Sequence, residues 1–177
     1  MRKTEDIRIY FDELESSYSE TSKSWKFAYN WIDSLVFALV GIAIVFTLLF
    51  RVVGVNGESM KPTLNSGDWL TVKAINTTYE RGDIVVITQP NSLNEPLIKR
   101  VVAVAGDTVD INFAQGTVKI NGELINEPYI AEPTERMFDV AFPVTVPDGC
   151  VFVMGDNRNN SLDSRSTTVG FIDTRYL

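Results

Sequence analysis

The pattern of apolar and polar positions divides the chain into three zones. Leu35 to Phe50 reads LVFALVGIAIVFTLLF, sixteen residues without a charge. As a helix this run covers about 24 Å at ~1.5 Å per residue. Trp31 and Ile32 extend it on one side, Val52 and Val53 on the other. With Asp33 and Arg51 snorkelling to the interfaces, it reaches about 20 residues, enough to cross a bilayer. Trp25, Tyr29 and Trp31 suit an aromatic belt on the N-terminal side. A cleavable leader is disfavoured, because about thirty mostly polar residues precede the run. Residues 1–22 interleave Glu5, Asp6, Asp12, Glu13, Glu15 and Glu20 with apolar side chains and are predicted as a short amphipathic helix or a disordered segment.

After the apolar run the signal is β. Short Val- and Ile-rich runs at Trp69–Ile75, Ile84–Thr88, Leu97–Ala105, Thr108–Phe113, Thr117–Ile120 and Cys150–Met154 read as strands. Gly-Asp, Asp-Gly and Asn-Gly pairs punctuate them. Asn121-Gly122 between Val118-Lys119-Ile120 and Glu123-Leu124-Ile125 predicts a tight hairpin. Residues 126–143 carry three prolines and little periodicity, so a long loop or small subdomain is expected there. The predicted class is mainly β: one N-terminal transmembrane helix followed by an antiparallel β domain. The predicted boundaries are an N-terminal segment 1–30, an anchor 31–51 and a β-rich domain 52–177.

Composition narrows the function. The 177 residues carry a net charge of −7, which argues against nucleic acid as a partner, since phosphate binding needs basic patches. One cysteine, Cys150, excludes an intramolecular disulfide. With one cysteine and no histidine, a zinc site is not expected, and no metal or cofactor enters the prediction. Lys23 and Lys26 flank one side of the apolar run, Arg51 and Lys61 the other, so charge counting leaves its orientation open.

The chemistry centres on two residues. Ser59 lies in Gly57-Glu58-Ser59-Met60-Lys61-Pro62-Thr63-Leu64, with eight residues separating it from Phe50. Without histidine, a nucleophilic Ser59 needs a base other than imidazole, and lysine is the strongest candidate. Lys99 stands in Leu97-Ile98-Lys99-Arg100-Val101-Val102-Ala103. Strand alternation puts it on one face with Leu97, Val101 and Ala103, and puts Arg100 on the other. Apolar neighbours disfavour the ammonium and lower its pKa, leaving a neutral amine to take a proton from Ser59. Taken singly, each residue is more ordinary: a turn serine and a strand lysine. A third block, Gly155-Asp156-Asn157-Arg158-Asn159-Asn160-Ser161-Leu162-Asp163-Ser164-Arg165, follows a predicted strand. Its paired charges and hydroxyls suit the shell around a polar site.

In their order, these blocks resemble bacterial type I signal peptidases, membrane-anchored serine endopeptidases that remove signal peptides from exported proteins. The matching blocks are Ser59-Met60-Lys61-Pro62-Thr63, Gly67-Asp68, Arg81-Gly82-Asp83-Ile84-Val85, Lys99-Arg100-Val101 with Ala105-Gly106-Asp107, and Gly155-Asp156-Asn157-Arg158 with Ser161, Asp163 and Arg165. The resemblance implies Ser59 as nucleophile and Lys99 as general base. It implies that Ser161 hydrogen-bonds the lysine amine and that Asp156, Asp163 and Arg165 brace the site, with Gly57, Met60 and Arg158 in supporting places. It also implies a cytoplasmic N-terminus, an extracytoplasmic β domain in the signal peptidase fold, and signal peptides, membrane lipid and the translocation machinery as partners.

Two departures bear on efficiency and edges. Gly57 stands where some relatives carry a serine that helps bind the oxyanion, leaving the Ser59 N–H and a second donor that the sequence does not identify. The chain ends at Leu177, where relatives usually continue with a further strand and a basic tail, so an open sheet edge is expected. The competing readings are a catalytically silent membrane-anchored binding module of the same fold, a self-cleaving Ser/Lys repressor and a purely structural membrane protein. The first would be favoured by loss of Ser59 or Lys99, and both are present. The second requires a DNA-binding domain where the apolar run lies, and the third leaves the blocks unexplained.

Overall fold

The computed structural model describes Trp25 and residues 29–73, 78–89 and 95–177. The prediction for residues 1–22 and the last two residues of the Trp69–Ile75 run lie outside these. Helix α1 spans Tyr29–Leu49 and is long and apolar enough to cross a membrane. Its two internal hydroxyls stay satisfied on its own backbone: Ser34 donates to Asn30 O at 2.8 Å and Thr47 to Ala43 O at 2.6 Å.

The helix stops two residues before the predicted boundary at Arg51. Phe50–Gly54 forms strand β1 and pairs antiparallel with β2, Trp69–Lys73. Val52 and Val53, read as an extension of the helix, sit opposite Thr71 and Leu70. β-Branched residues suit either state, and here the cross-strand partner decides.

The remaining strands are β3 (Ile84–Ile87), β4 (Leu97–Val104), β5 (Thr108–Asn112), β6 (Thr117–Ile120), β7 (Glu123–Leu124), β8 (Val144–Thr145), β9 (Cys150–Met154) and β10 (Ile172–Asp173). They form two four-stranded antiparallel sheets, ordered β10-β9-β4-β3 and β7-β6-β5-β8. The β6–β7 hairpin turns on Asn121 and Gly122, both at positive φ (55° and 84°), as the Asn-Gly signal requires.

Val102, Ala103, Phe152 and Met154 of the first sheet pack with Val109, Ile111, Val118 and Ile120 of the second. Phe113, Phe142, Phe152 and Phe171 run through this core edge to face, at centroid spacings of 5.8, 6.0 and 6.1 Å. The opposite face of the first sheet buries Val85, Ile87, Val101, Val151, Val153 and Ile172. Strand alternation alone would send Val102 and Ala103 to opposite faces. A bulge between Val101 and Ala103 turns both into the inter-sheet core. Ala103 therefore leaves the face of Lys99 and Val101.

Residues 126–143 contain no regular strand and lie along the 155–165 block instead of standing apart. Ala131 N–H donates to Asp156 O at 3.1 Å and Val140 N–H to Arg165 O at 3.2 Å. The end of the chain returns to β3: Thr88 N–H donates to Tyr176 O at 2.8 Å, and Leu177 packs against the second core.

Candidate active site

Ser59 follows Gly57, which adopts φ 96°, in a turn that leads from β1 back toward β2. The turn is held from both sides. Gly67 N–H donates to Val55 O at 2.9 Å, and Lys61 forms an ion pair with Glu58 at 2.8 Å. Met60 is buried and accepts from Leu64 N–H at 2.9 Å. Gly57 N–H donates to Ser66 Oγ at 3.3 Å.

Lys99 sits in β4 opposite Val85, on a face shared with Leu97 and Val101. It is 3% exposed. Its Nζ lies 2.7 Å from Ser59 Oγ. Burial pulls its pKa below the ordinary lysine value; the Asp163 carboxylate opposes this, and the Arg165 guanidinium adds to the lowering. Both residues line a cleft of about 310 Å³ between Val53–Met60, Val86 and Glu95–Lys99.

The 155–165 block closes the back of the site. Gly155 is so close to Ser59 O and to the Ser161 side chain that a Cβ there would overlap both. Asp163 accepts from Gly155 N–H at 3.0 Å, from the Ser161 hydroxyl at 2.8 Å and from Arg165 through a two-pronged contact. The resemblance implied that Ser161 bonds the lysine amine. Among the described residues Lys99 Nζ meets Ser59 instead, and the Asp163 carboxylate takes the Ser161 hydroxyl. Asp163 and Arg165 are fully buried as a pair. Arg165 also donates to the Arg136 and Arg158 carbonyls at 3.0 and 2.6 Å.

Asp156, fully buried, accepts from Arg100 Nε at 2.8 Å and Nη2 at 2.7 Å, and from the Thr63 hydroxyl. It therefore ties β4 to the turn that carries Ser59. Arg158 donates to Gly155 O at 3.1 Å, to Glu127 and to the Thr134 hydroxyl. No buried side-chain nitrogen or oxygen among the described residues lacks a partner, as a network of buried charge requires.

The profile of the family described as "Signal peptidase, peptidase S26" matches residues 28–177. The chain belongs to this family. Signal peptidase I of Bacillus amyloliquefaciens is 37% identical over 164 residues, covering 86% of this chain and 85% of that protein. Signal peptidase I S of Bacillus subtilis (strain 168) is 37% identical over 160 residues, 84% of each chain. Probable signal peptidase I-1 of Synechocystis is 38% identical over 150 residues, 79% of this chain and 74% of that one. A crystal structure of a signal peptidase I from Enterococcus faecalis V583 matches at a TM-score of 0.46 and 30% identity, covering 56% of this chain and 93% of that one. As an S26 family member the chain is a serine endopeptidase, as the sequence blocks implied.

The structure also brings in residues to which the sequence attached no role. Arg100 stacks over the Tyr129 ring at 4.1 Å while holding Asp156. Burial first, then Glu127, pushes the Tyr129 phenol up to about 12. Glu127 and Thr134 come from the proline-rich stretch and close the Arg158 cluster. Strand alternation does place Arg100 opposite Lys99, which was the one available signal for it. Nothing in the periodicity marks Glu127 or Thr134.

Proposed function

We propose that the protein is a membrane-anchored signal peptidase I that cleaves signal peptides from exported preproteins with Ser59 as nucleophile and Lys99 as general base. The 2.7 Å contact between Lys99 Nζ and Ser59 Oγ carries this reading, supported by the burial that lowers the lysine pKa.

In this mechanism neutral Lys99 takes the Ser59 proton as Oγ adds to the scissile carbonyl carbon. The carbonyl electron pair moves to oxygen, and the oxyanion meets the Ser59 N–H. When the intermediate collapses, the peptide C–N bond breaks and the Lys99 ammonium returns the proton to the leaving amine. Lys99 then deprotonates a water that attacks the acyl-serine ester. The ester bond to Oγ breaks, and the signal peptide leaves with a carboxylate. The substrate lies extended in the cleft of Val53, Val55, Val86 and Ile98. Its small residues, at the first and third positions before the cut, require shallow apolar subsites there. Asp156, Ser161, Asp163 and Arg165 hold the two reacting side chains in register.

The helix Tyr29–Leu49 is the anchor, with the N-terminus cytoplasmic and the β domain outside. Lipid is a second partner. Phe50, Val52 and Trp69 share the exposed face of the β1–β2 ribbon, beginning one residue beyond α1, and tryptophan favours the interface.

The test is incubation of detergent-solubilised protein with a preprotein, beside its Ser59→Ala variant. Processing by the parent and none by a folded Ser59→Ala is the expected result. Wild-type turnover in that variant would exclude the dyad.

A further inference from the structure

Gly57 leaves the oxyanion site without a serine side chain from that position, so much depends on how well the remaining backbone donor is aimed. The Ser59 N–H belongs to the peptide unit whose carbonyl is Glu58 O. In a planar trans peptide the C=O and N–H point to opposite sides. Whatever grips Glu58 O therefore fixes the direction of the Ser59 N–H.

Two groups grip it. Asn157 Nδ2 donates to Glu58 O at 3.1 Å, and Lys61 N–H donates at 3.2 Å. Asn157 also donates through its backbone N–H to Ser59 O at 3.0 Å. One residue thus holds the carbonyls on both sides of the nucleophile. Its own place is fixed by Asp156 before it, which binds Arg100 and Thr63, and by Asn160 N–H, which donates to Asn157 O at 3.0 Å. The Ser59 N–H itself meets no acceptor among the described residues, and Ser59 lines the cleft. Donation onto a carbonyl also polarises the N–H of the same amide and strengthens it as a donor.

We infer that Asn157 is a positioning residue of the oxyanion site: its side-chain amide, pulling on Glu58 O from behind, aims the Ser59 N–H at the developing oxyanion. This rests on the nucleophile role given to Ser59. The side chain bonds Glu58 O and does not line the cleft, so its contribution belongs to the transition state and leaves ground-state binding alone.

The test uses the full chain in detergent, a signal-peptide-derived substrate, and the variants Asn157→Ala and Asn157→Asp. Aspartate is nearly isosteric, and its ionised carboxylate has no proton to donate to a carbonyl. Both variants keep the backbone bond to Ser59 O. Deleting an oxyanion donor outright costs about 10²–10³ in rate, so misaiming one is expected to lower kcat by about 10- to 100-fold. KM is expected to stay within about two-fold, the signature of an interaction made only in the transition state. The pH midpoint of Asn157→Ala is expected not to move, because that change leaves Lys99 and the charges around it untouched. Affinity for a substrate-like peptide boronate, which forms a tetrahedral adduct on Ser59, is expected to fall with kcat, while affinity for a non-cleavable peptide holds.

Wild-type kcat in both variants overturns the inference. So does a loss carried in KM, a shifted pH midpoint in Asn157→Ala, or loss of fold in both variants, which would make the contact a scaffold bond. Ser59→Ala separates the two levels. If it retains full activity, the dyad and this inference fall together. If it is inactive while Asn157→Asp turns over normally, only the inference falls.

Discussion

A lysine that is 3% exposed has lost much of the hydration its ammonium needs, and that loss links its reactivity to its cost. Lys99 has a depressed pKa, mainly through burial, so its neutral form gains population below the ordinary lysine value of about 10.4. Activity is expected to rise with pH along a limb below that value. Lys99→Arg, which stays protonated at any working pH, is expected to lose at least about 10²-fold in kcat. A limb at the unperturbed lysine position, or an active arginine variant, would contradict a desolvated base. The same shift fixes the sign for stability. Between the native and ordinary pKa values the unfolded chain binds more protons than the folded one, so stability rises with pH across that window. Below it the burial penalty is fully present, at about 1.4 kcal/mol for each unit of depression. Lys99→Met is therefore expected to be inactive yet to melt higher than the parent at neutral pH; an unchanged or lower midpoint would mean a well-solvated amine. Ser59 and Lys99 were legible in the sequence because a turn motif and strand alternation act locally. The Asn157 clamp was not, because its two acceptors lie 98 and 99 positions away along the chain.

At the scale of elements, the long Val- and Ile-rich strands were legible almost to the residue, since alternating burial writes itself into composition. Strands β8 and β10, two residues each, carry no period to read. The bulge in β4 was equally silent: it is a mismatch of lengths between β4 and β9, a property of two strands together. Strand β9 delivers the site block through Gly155, the residue after its end. That glycine is needed for contact distance, since its φ is not positive. Gly155→Ala is expected to push the block away from Ser59 O and Ser161, costing about 1–3 kcal/mol of stability as overpacking. A displacement of about 1 Å is enough to cost about 10²-fold in rate, so kcat is expected to fall far more than a neutral surface change would allow. Denaturant unfolding and turnover measured on one preparation check both. A variant with parental kcat and stability would show that the backbone approach is not as close as described.

At the scale of the molecule, the chain divides into residues 1–49 and 50–177, and the division falls where helix gives way to strand. Both core clusters and the Ser59–Lys99 pair lie in the second unit. Only nine residues separate Leu49 from Ser59, and even fully extended they reach roughly 3.3–3.6 Å each. On the proposed reading an anchored α1 confines Ser59 to within a few tens of ångströms of the bilayer, where a substrate's cut site would follow its own apolar segment. A variant lacking residues 1–49 keeps every residue of β1 and is expected to retain much of its cleavage of a soluble peptide. Its cleavage of a membrane-inserted preprotein is expected to drop at least ten-fold further, because the effective concentration supplied by the shared membrane is gone. Equal losses on the two substrates would remove the anchor from the mechanism. Orientation needs its own measurement, since the flanking charges are balanced. Protease added outside spheroplasts is expected to digest the domain after residue 51 and to spare residues 1–22. The reverse pattern would put Ser59 in the cytoplasm and end the export role, leaving the peptidase chemistry intact.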